Sequence, residues 1–169
     1  MDWFVTMTRK TLASINSRIA VMGHPVHPAL VHFPVAALIG LLATDVAYIV
    51  TSDYFWARAG LWLAGIGAAG GAVSGTAGLL DMLLVSRIRR LITAWCHAAL
   101  AVMLLSLAAL NWLLRIGSSP ESAIFPWGIY LSGLSVMLIG ATAFLGSQLV
   151  YEHAVGVDLD DAAAKRPRV

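Results

Sequence analysis

The chain has 169 residues, 59% apolar and only 12% charged, about half the charged share of an ordinary soluble domain. A formal charge of +2 with no basic stripe among aromatics excludes a nucleic-acid partner. The apolar residues fall in four runs long enough to cross a bilayer, so the sequence describes an integral membrane protein with little mass outside the lipid.

Residues 1–22 mix Trp3, Phe4, Met7, Leu12, Ile15 and Ile19 with Arg9, Lys10 and Arg18. That pattern suits either an amphipathic helix lying in the membrane interface or a disordered tail. No unbroken apolar core precedes Arg18, so the first span is expected to act as its own insertion signal.

Next comes Gly23-His24-Pro25-Val26-His27-Pro28-Ala29-Leu30-Val31-His32-Phe33-Pro34, which holds three of the five histidines and half of the six prolines. A residue before proline is pushed away from helix, so His24 and His27 are expected in extended or turn conformation. Pro28 then opens the first helix, with His32 one turn inside it.

Four transmembrane helices are expected at 28–50, 59–85, 91–114 and 127–151, within a domain spanning 23–157 and followed by a flexible tail at 158–169. The short links make consecutive helices antiparallel neighbours, giving an all-α, up-down-up-down bundle. No convincing internal similarity between the two helix pairs is apparent. Arg9, Lys10, Arg18, Arg87, Arg89, Arg90, Lys165, Arg166 and Arg168 fall on the side of the termini, and only Arg58 and Arg115 on the other. The excess of basic residues puts both termini of this multi-pass chain in the cytoplasm.

That topology gathers His24, His27, His32, His97 and His153 at the cytoplasmic end. Stripes of small residues allow membrane helices to approach closely, and they assign the inward faces. In the first helix the inward set is Ala29, His32, Ala36, Ile39 and Ala43. In the second it is Gly60, Ala64, Gly67, Gly71, Ser74, Gly78 and Asp81. The third offers Ala94, His97, Ala101, Leu104, Ala108 and Asn111, and the fourth Ser135, Thr142, Gly146 and His153. On this reading His32 and His97 face each other across the bundle diagonal as metal ligands, with His24, His27 and His153 at the rim.

Two inward imidazoles suit the axial positions of a b-type haem iron. The glycine face of the second helix would make room for the macrocycle, Arg87 and Arg90 would meet its propionates, and Asp81 would orient a ligand histidine. The implied function is electron transfer with a redox partner or quinone. Two alternatives stay open. One is a non-haem metal site drawing on His24, His27, His153 and Asp81 or Glu152. The other is a membrane subunit with no chemistry of its own. The Gly67, Gly71, Gly75 stripe also suggests either a plain helix-packing face or a homo-oligomer face. Asp45, deep in the first helix, is expected to pair with Arg58, Arg115 or Asn111, and Cys96 to be a small buried residue. No P-loop, dinucleotide fingerprint, nucleophile elbow or HExxH is present, which weighs against an independent enzyme.

The His-Pro run, Asp81 after a glycine-rich helix, His97, and the closing Leu149-Val150-Tyr151-Glu152-His153-Ala154-Val155-Gly156-Val157 together resemble a bacterial membrane family, domain of unknown function 2231. The resemblance covers roughly residues 23–157. It implies a four-helix membrane protein, and the fusion of some relatives to a Rieske iron–sulfur domain implies electron transfer. This chain has no cysteine set for such a cluster.

Overall fold

The computed structural model describes residues 13–159. Four long helices carry the fold: α1 (Val26–Thr51), α2 (Tyr54–Leu84), α4 (Ile92–Gly117) and α5 (Ile129–Tyr151). A single-turn helix, α3 (Ser86–Arg89), links α2 to α4, and a kinked turn (Ile124–Gly128), extended at Phe125, leads into α5. All four spans are long and apolar enough to cross a membrane. They match the expected spans to within a few residues, with α2 starting earlier, at Tyr54. Ser52, in the left-handed region, turns the chain out of α1, and the Asp53 carboxylate caps α2 by accepting from the Phe55 N–H.

The helices form a ring in which α1 packs on α2, α2 on α4, α4 on α5 and α5 on α1. Close approaches fix the directions. Going down α2, Gly60 lies beside Thr44, Gly67 beside Leu38, Gly70 beside Pro34 and Gly78 beside His27. α1 and α2 are therefore antiparallel. Gly128 against Arg115 and Gly146 against His97 make α4 and α5 antiparallel too. The core between them is Leu38, Leu41, Ala64, Ala68, Ala108 and Ile139.

The buried faces of α2, α4 and α5 follow the expected stripes, but α1 does not. It buries Pro34, Ala37, Leu38, Leu41, Thr44 and Asp45, while His32, Ala36, Ile39 and Ala43 face outward. The physical reason is complementary volume. α2 already supplies glycines, so α1 supplies bulk: Leu38 fills the notch at Gly67 and Pro34 lies against Gly70, while Leu105 of α4 is nearest to Gly71. The small residues of α1 are left for lipid. Gly67 and Gly71 therefore serve packing within the bundle, one of the two roles expected of that stripe.

The described part of the N-terminal segment is extended rather than helical. Ile15 bridges in parallel to Val155, and Ala20–Val21 pairs antiparallel with His24–Pro25 as the two-residue strands β1 and β2. Residues 1–12 of the expected interfacial helix, and 160–169 of the expected tail, lie outside the described residues. Ile15 packs with Met82, Ile88 and Ala94 into a second small core. Together these segments cap the end of the bundle at which α1 begins.

Candidate functional site

His27 is the second residue of α1, not a pre-helical turn residue. Pro28 is tolerated beside it because the first-turn N–H groups have no helical partner to lose. Across the bundle, His97 sits in the first turns of α4. The two rings meet edge to face, with centroids 6.2 Å apart and planes at 84°.

Each ring is held by the same device. His27 Nδ1 lies 2.9 Å from the Ser74 carbonyl oxygen, and a Cβ on Gly78, one turn further along α2, would be 3.0 Å from that nitrogen. His97 Nδ1 lies 3.0 Å from the Thr142 carbonyl, and a Cβ on Gly146, one turn further along α5, would be 3.3 Å from its Cε1. A carbonyl can only accept, so both Nδ1 atoms donate. In the neutral rings the lone pair is therefore on Nε2, the arrangement that frees a histidine to bind a metal through that atom. Among the described residues neither Nε2 has a hydrogen-bond partner.

The other expected site residues do not join this pair. His32 faces outward, since five residues on a helix turn it roughly 140° from His27. His24 is exposed at β2, its Nδ1 2.9 Å from the Met22 carbonyl. The half-buried His153 follows α5 and makes no group of three with other ligand types; no such group occurs among the described residues. Asp81 is buried, but it serves the N-terminal segment. Its carboxylate accepts from the Ser17 hydroxyl and from the Arg18 and Ile19 N–H groups at 2.7 and 2.9 Å. Arg87 is likewise engaged, donating to the carbonyls of Ser14 and Ala13. Arg90 is exposed, and so is Cys96, contrary to its expected burial.

His27 is readable from another residue. A buried carboxylate has to face inward, and counting back from Asp45 at helical spacing gives Leu41, Leu38, Pro34 and His27. The prolines on either side mask that register.

The model of a family described as "Predicted membrane protein (DUF2231)" matches residues 23–159. The chain belongs to the DUF2231 family. No curated protein and no solved structure matches it.

The DUF2231 region carries a second polar layer, at the opposite end of the bundle. Arg115 Nη2 donates to both carboxylate oxygens of Asp45 at 2.8 Å, and both side chains are fully buried. Ser132 donates to Asp45 at 2.9 Å, and Arg115 Nε donates to Asn111 Oδ1 at 2.9 Å. This is the expected latch for Asp45, with Arg115 as its partner. One atom is left over: Arg115 Nη1 is buried without a hydrogen-bond partner among the described residues.

Proposed function

We propose that His27 and His97 are the two protein ligands of a haem iron, and that this membrane protein carries electrons at its histidine end. The observation that carries the reading is the spacing of the pair. With metal–nitrogen bonds of about 2.0–2.1 Å, two imidazoles that shared one ion would have ring centres no more than roughly 6 Å apart. The pair stands at 6.2 Å with both Nδ1 atoms already engaged.

The donor count supports the same choice. A structural zinc site needs four ligands, and no group of three ligand residues occurs among the described residues. A haem brings four nitrogens of its own and asks the protein for two. The group supplies reversible one-electron chemistry. The chain's part is to hold two imidazoles at fixed tilt in a bundle that keeps water away.

One observation favours a runner-up, a bare copper or zinc ion between the same rings. Gly67, Gly70 and Gly71 are filled by Leu38, Pro34 and Leu105, which removes most of the room the glycine face was expected to offer a macrocycle. The basic residues beside the histidine end, with both termini, favour a cytoplasmic location for that end, and a bacterial inner membrane as the setting. A quinone or a soluble redox protein would then be the electron partner.

The test is an absorption spectrum of the protein purified in detergent from haem-supplemented cells. A Soret band that sharpens on reduction is expected, lost in both His27→Ala and His97→Ala and kept in His32→Ala. A colourless protein with one equivalent of copper or zinc would transfer the site to the runner-up. A colourless, metal-free protein would leave a membrane subunit without redox chemistry.

A further inference from the structure

α4 can be aligned with α1, and α5 with α2, position by position. His27, Leu38, Leu41 and Asp45 of α1 correspond to His97, Ala108, Asn111 and Arg115 of α4, each seventy residues later. Three of these four pairs are buried on both sides, and the fourth is the half-buried histidine pair. The outward positions match as well: His32 with Val102, Phe33 with Met103, Ala43 with Leu113 and Val46 with Ile116 are all exposed.

In the second pair of helices the offset is sixty-eight, and the residues themselves are alike. Gly60-Leu61-Trp62-Leu63-Ala64-Gly65 corresponds to Gly128-Ile129-Tyr130-Leu131-Ser132-Gly133. Trp62 and Tyr130 are 67% and 66% exposed, while Ala64 and Ser132 are both fully buried. Further along, Ser74 and Gly78, which seat His27, correspond to Thr142 and Gly146, which seat His97.

The packing obeys the same relation. A two-fold rotation carrying α1 onto α4 and α2 onto α5 turns the α1–α2 contact into α4–α5 and the α2–α4 contact into α5–α1. Those four contacts are the ring that is seen, with the equivalent helices on its diagonals. α1 and α4 run in the same direction, because His27 meets His97 at one end and Asp45 meets Arg115 at the other. The axis therefore lies along the bundle, of the kind that relates parallel repeats in membrane proteins.

We infer that the domain is a tandem duplication of one helical hairpin, with a pseudo-two-fold axis passing through both polar layers. A residue next to such an axis faces its own equivalent. Two histidines can share that position as neutral rings. Two aspartates or two arginines in a buried layer cannot, so the far layer has diverged into an opposite pair. The duplication itself holds whether or not a haem is bound. One consequence rests on the haem reading: His27 and His97 would be equivalent ligands, one supplied by each hairpin.

The far layer provides the first test, in the full-length protein. Asp45→Arg alone places two guanidinium groups together and should lower the detergent melting temperature by roughly 10 °C. The inference predicts that exchanging the whole layer restores most of that loss. The exchange is Asp45→Arg with Arg115→Asp, Leu41→Asn with Asn111→Leu, and Ala64→Ser with Ser132→Ala. A six-residue exchange no more stable than Asp45→Arg alone would overturn it.

The second test does not depend on stability. Spin labels on a Cys96→Ser background at Val46 and Leu134 form one α1–α5 pair. Its symmetry mate is Ile116 and Ile66, an α4–α2 pair, and all four positions are exposed. The two distance distributions should coincide, and centres differing by more than one helical pitch, about 5 Å, would contradict the axis. Neither test reads haem, so failure here is separable from a colourless protein.

Discussion

Leu38 of α1 occupies the space that a side chain on Gly67 of α2 would need. A Cβ at position 67 would come within 2.5 Å of Leu38 Cδ2 and 2.7 Å of its Cγ. Leu38 is 3% exposed and belongs to the central core, so it has nowhere to retreat. Gly67→Ala should therefore cost about 1–3 kcal/mol, the usual penalty of overpacking. Leu38→Ala should cost about 2–5 kcal/mol by leaving a cavity. The double substitution should be less damaging than the two losses added together, because the new methyl enters the space the leucine vacates. Melting in a fixed detergent gives all three values, and strict additivity would mean that the two residues do not share this notch.

The buried ion pair makes a different prediction. Removing one partner of a buried pair leaves an uncompensated charge, at about 3–5 kcal/mol, while replacing both with apolar groups is often neutral or better. Arg115→Met should therefore be severely destabilising, and Asp45→Leu combined with Arg115→Met close to wild type or above it. Nη1, without a partner among the described residues, adds to that expectation, since the double substitution also removes this buried donor. Reversible unfolding in mixed micelles measures the difference. A double variant as weak as Arg115→Met would show that the pair itself holds the helices together.

These two relationships also show how far the sequence can be read. The four spans, their alternation and the need of Asp45 for a partner follow from apolar run length, link length and the cost of an isolated buried charge; the choice of Arg115 over Arg58 or Asn111 comes from the packing. The faces of α2, α4 and α5 follow from their small residues. α1 does not, because a stripe of small residues marks an interface only when the facing helix has bulk to offer, and α2 has glycines instead. The expectation of His32 rather than His27 opposite His97 is the direct result of that reversal. Asp81 escapes a sequence reading for another reason: its partners, Ser17, Arg18 and Ile19, lie more than sixty residues away along the chain. The duplication is obscured by divergence where it matters most, Asp45 against Arg115 and Leu41 against Asn111, and by an offset that changes from seventy to sixty-eight between the helix pairs.

Asp81 should act as a clamp on the N-terminal segment rather than on the histidines. Two backbone N–H groups and one hydroxyl converge on its carboxylate, and hydrogen bonds to a charged acceptor are worth about 1.5–3 kcal/mol each. Asp81→Ala is expected to raise hydrogen exchange at the Arg18 and Ile19 amides roughly ten- to a hundredfold, corresponding to the loss of one such bond. Exchange in the middle of α1 and α4 should be unchanged. Asp81→Asn keeps one carbonyl oxygen to accept from both amides and should lie between. Equal exposure of the bundle interior would show that the segment is part of the global fold and not a separately held cap.

The last prediction concerns the glycines under the imidazoles. His27 rests on Gly78 with less clearance than His97 has on Gly146: the nearest ring atom would stand 3.0 Å from a Cβ added at position 78, against 3.3 Å at position 146. Adding that methyl must displace the His27 ring, and with it the Nδ1–H bond to Ser74 that fixes its tilt. At Gly146 a smaller shift of the ring would suffice. If the two histidines hold an iron, Gly78→Ala should weaken or broaden the Soret band more than Gly146→Ala does. Both should disturb it more than an alanine at Gly140, where a side chain would meet nothing within 4 Å. Melting temperatures should separate this from global damage, because positions 78 and 146 lie beside the rings and outside the central core. A spectrum indifferent to Gly78→Ala, with the protein folded, would mean that the His27 ring carries no ligand.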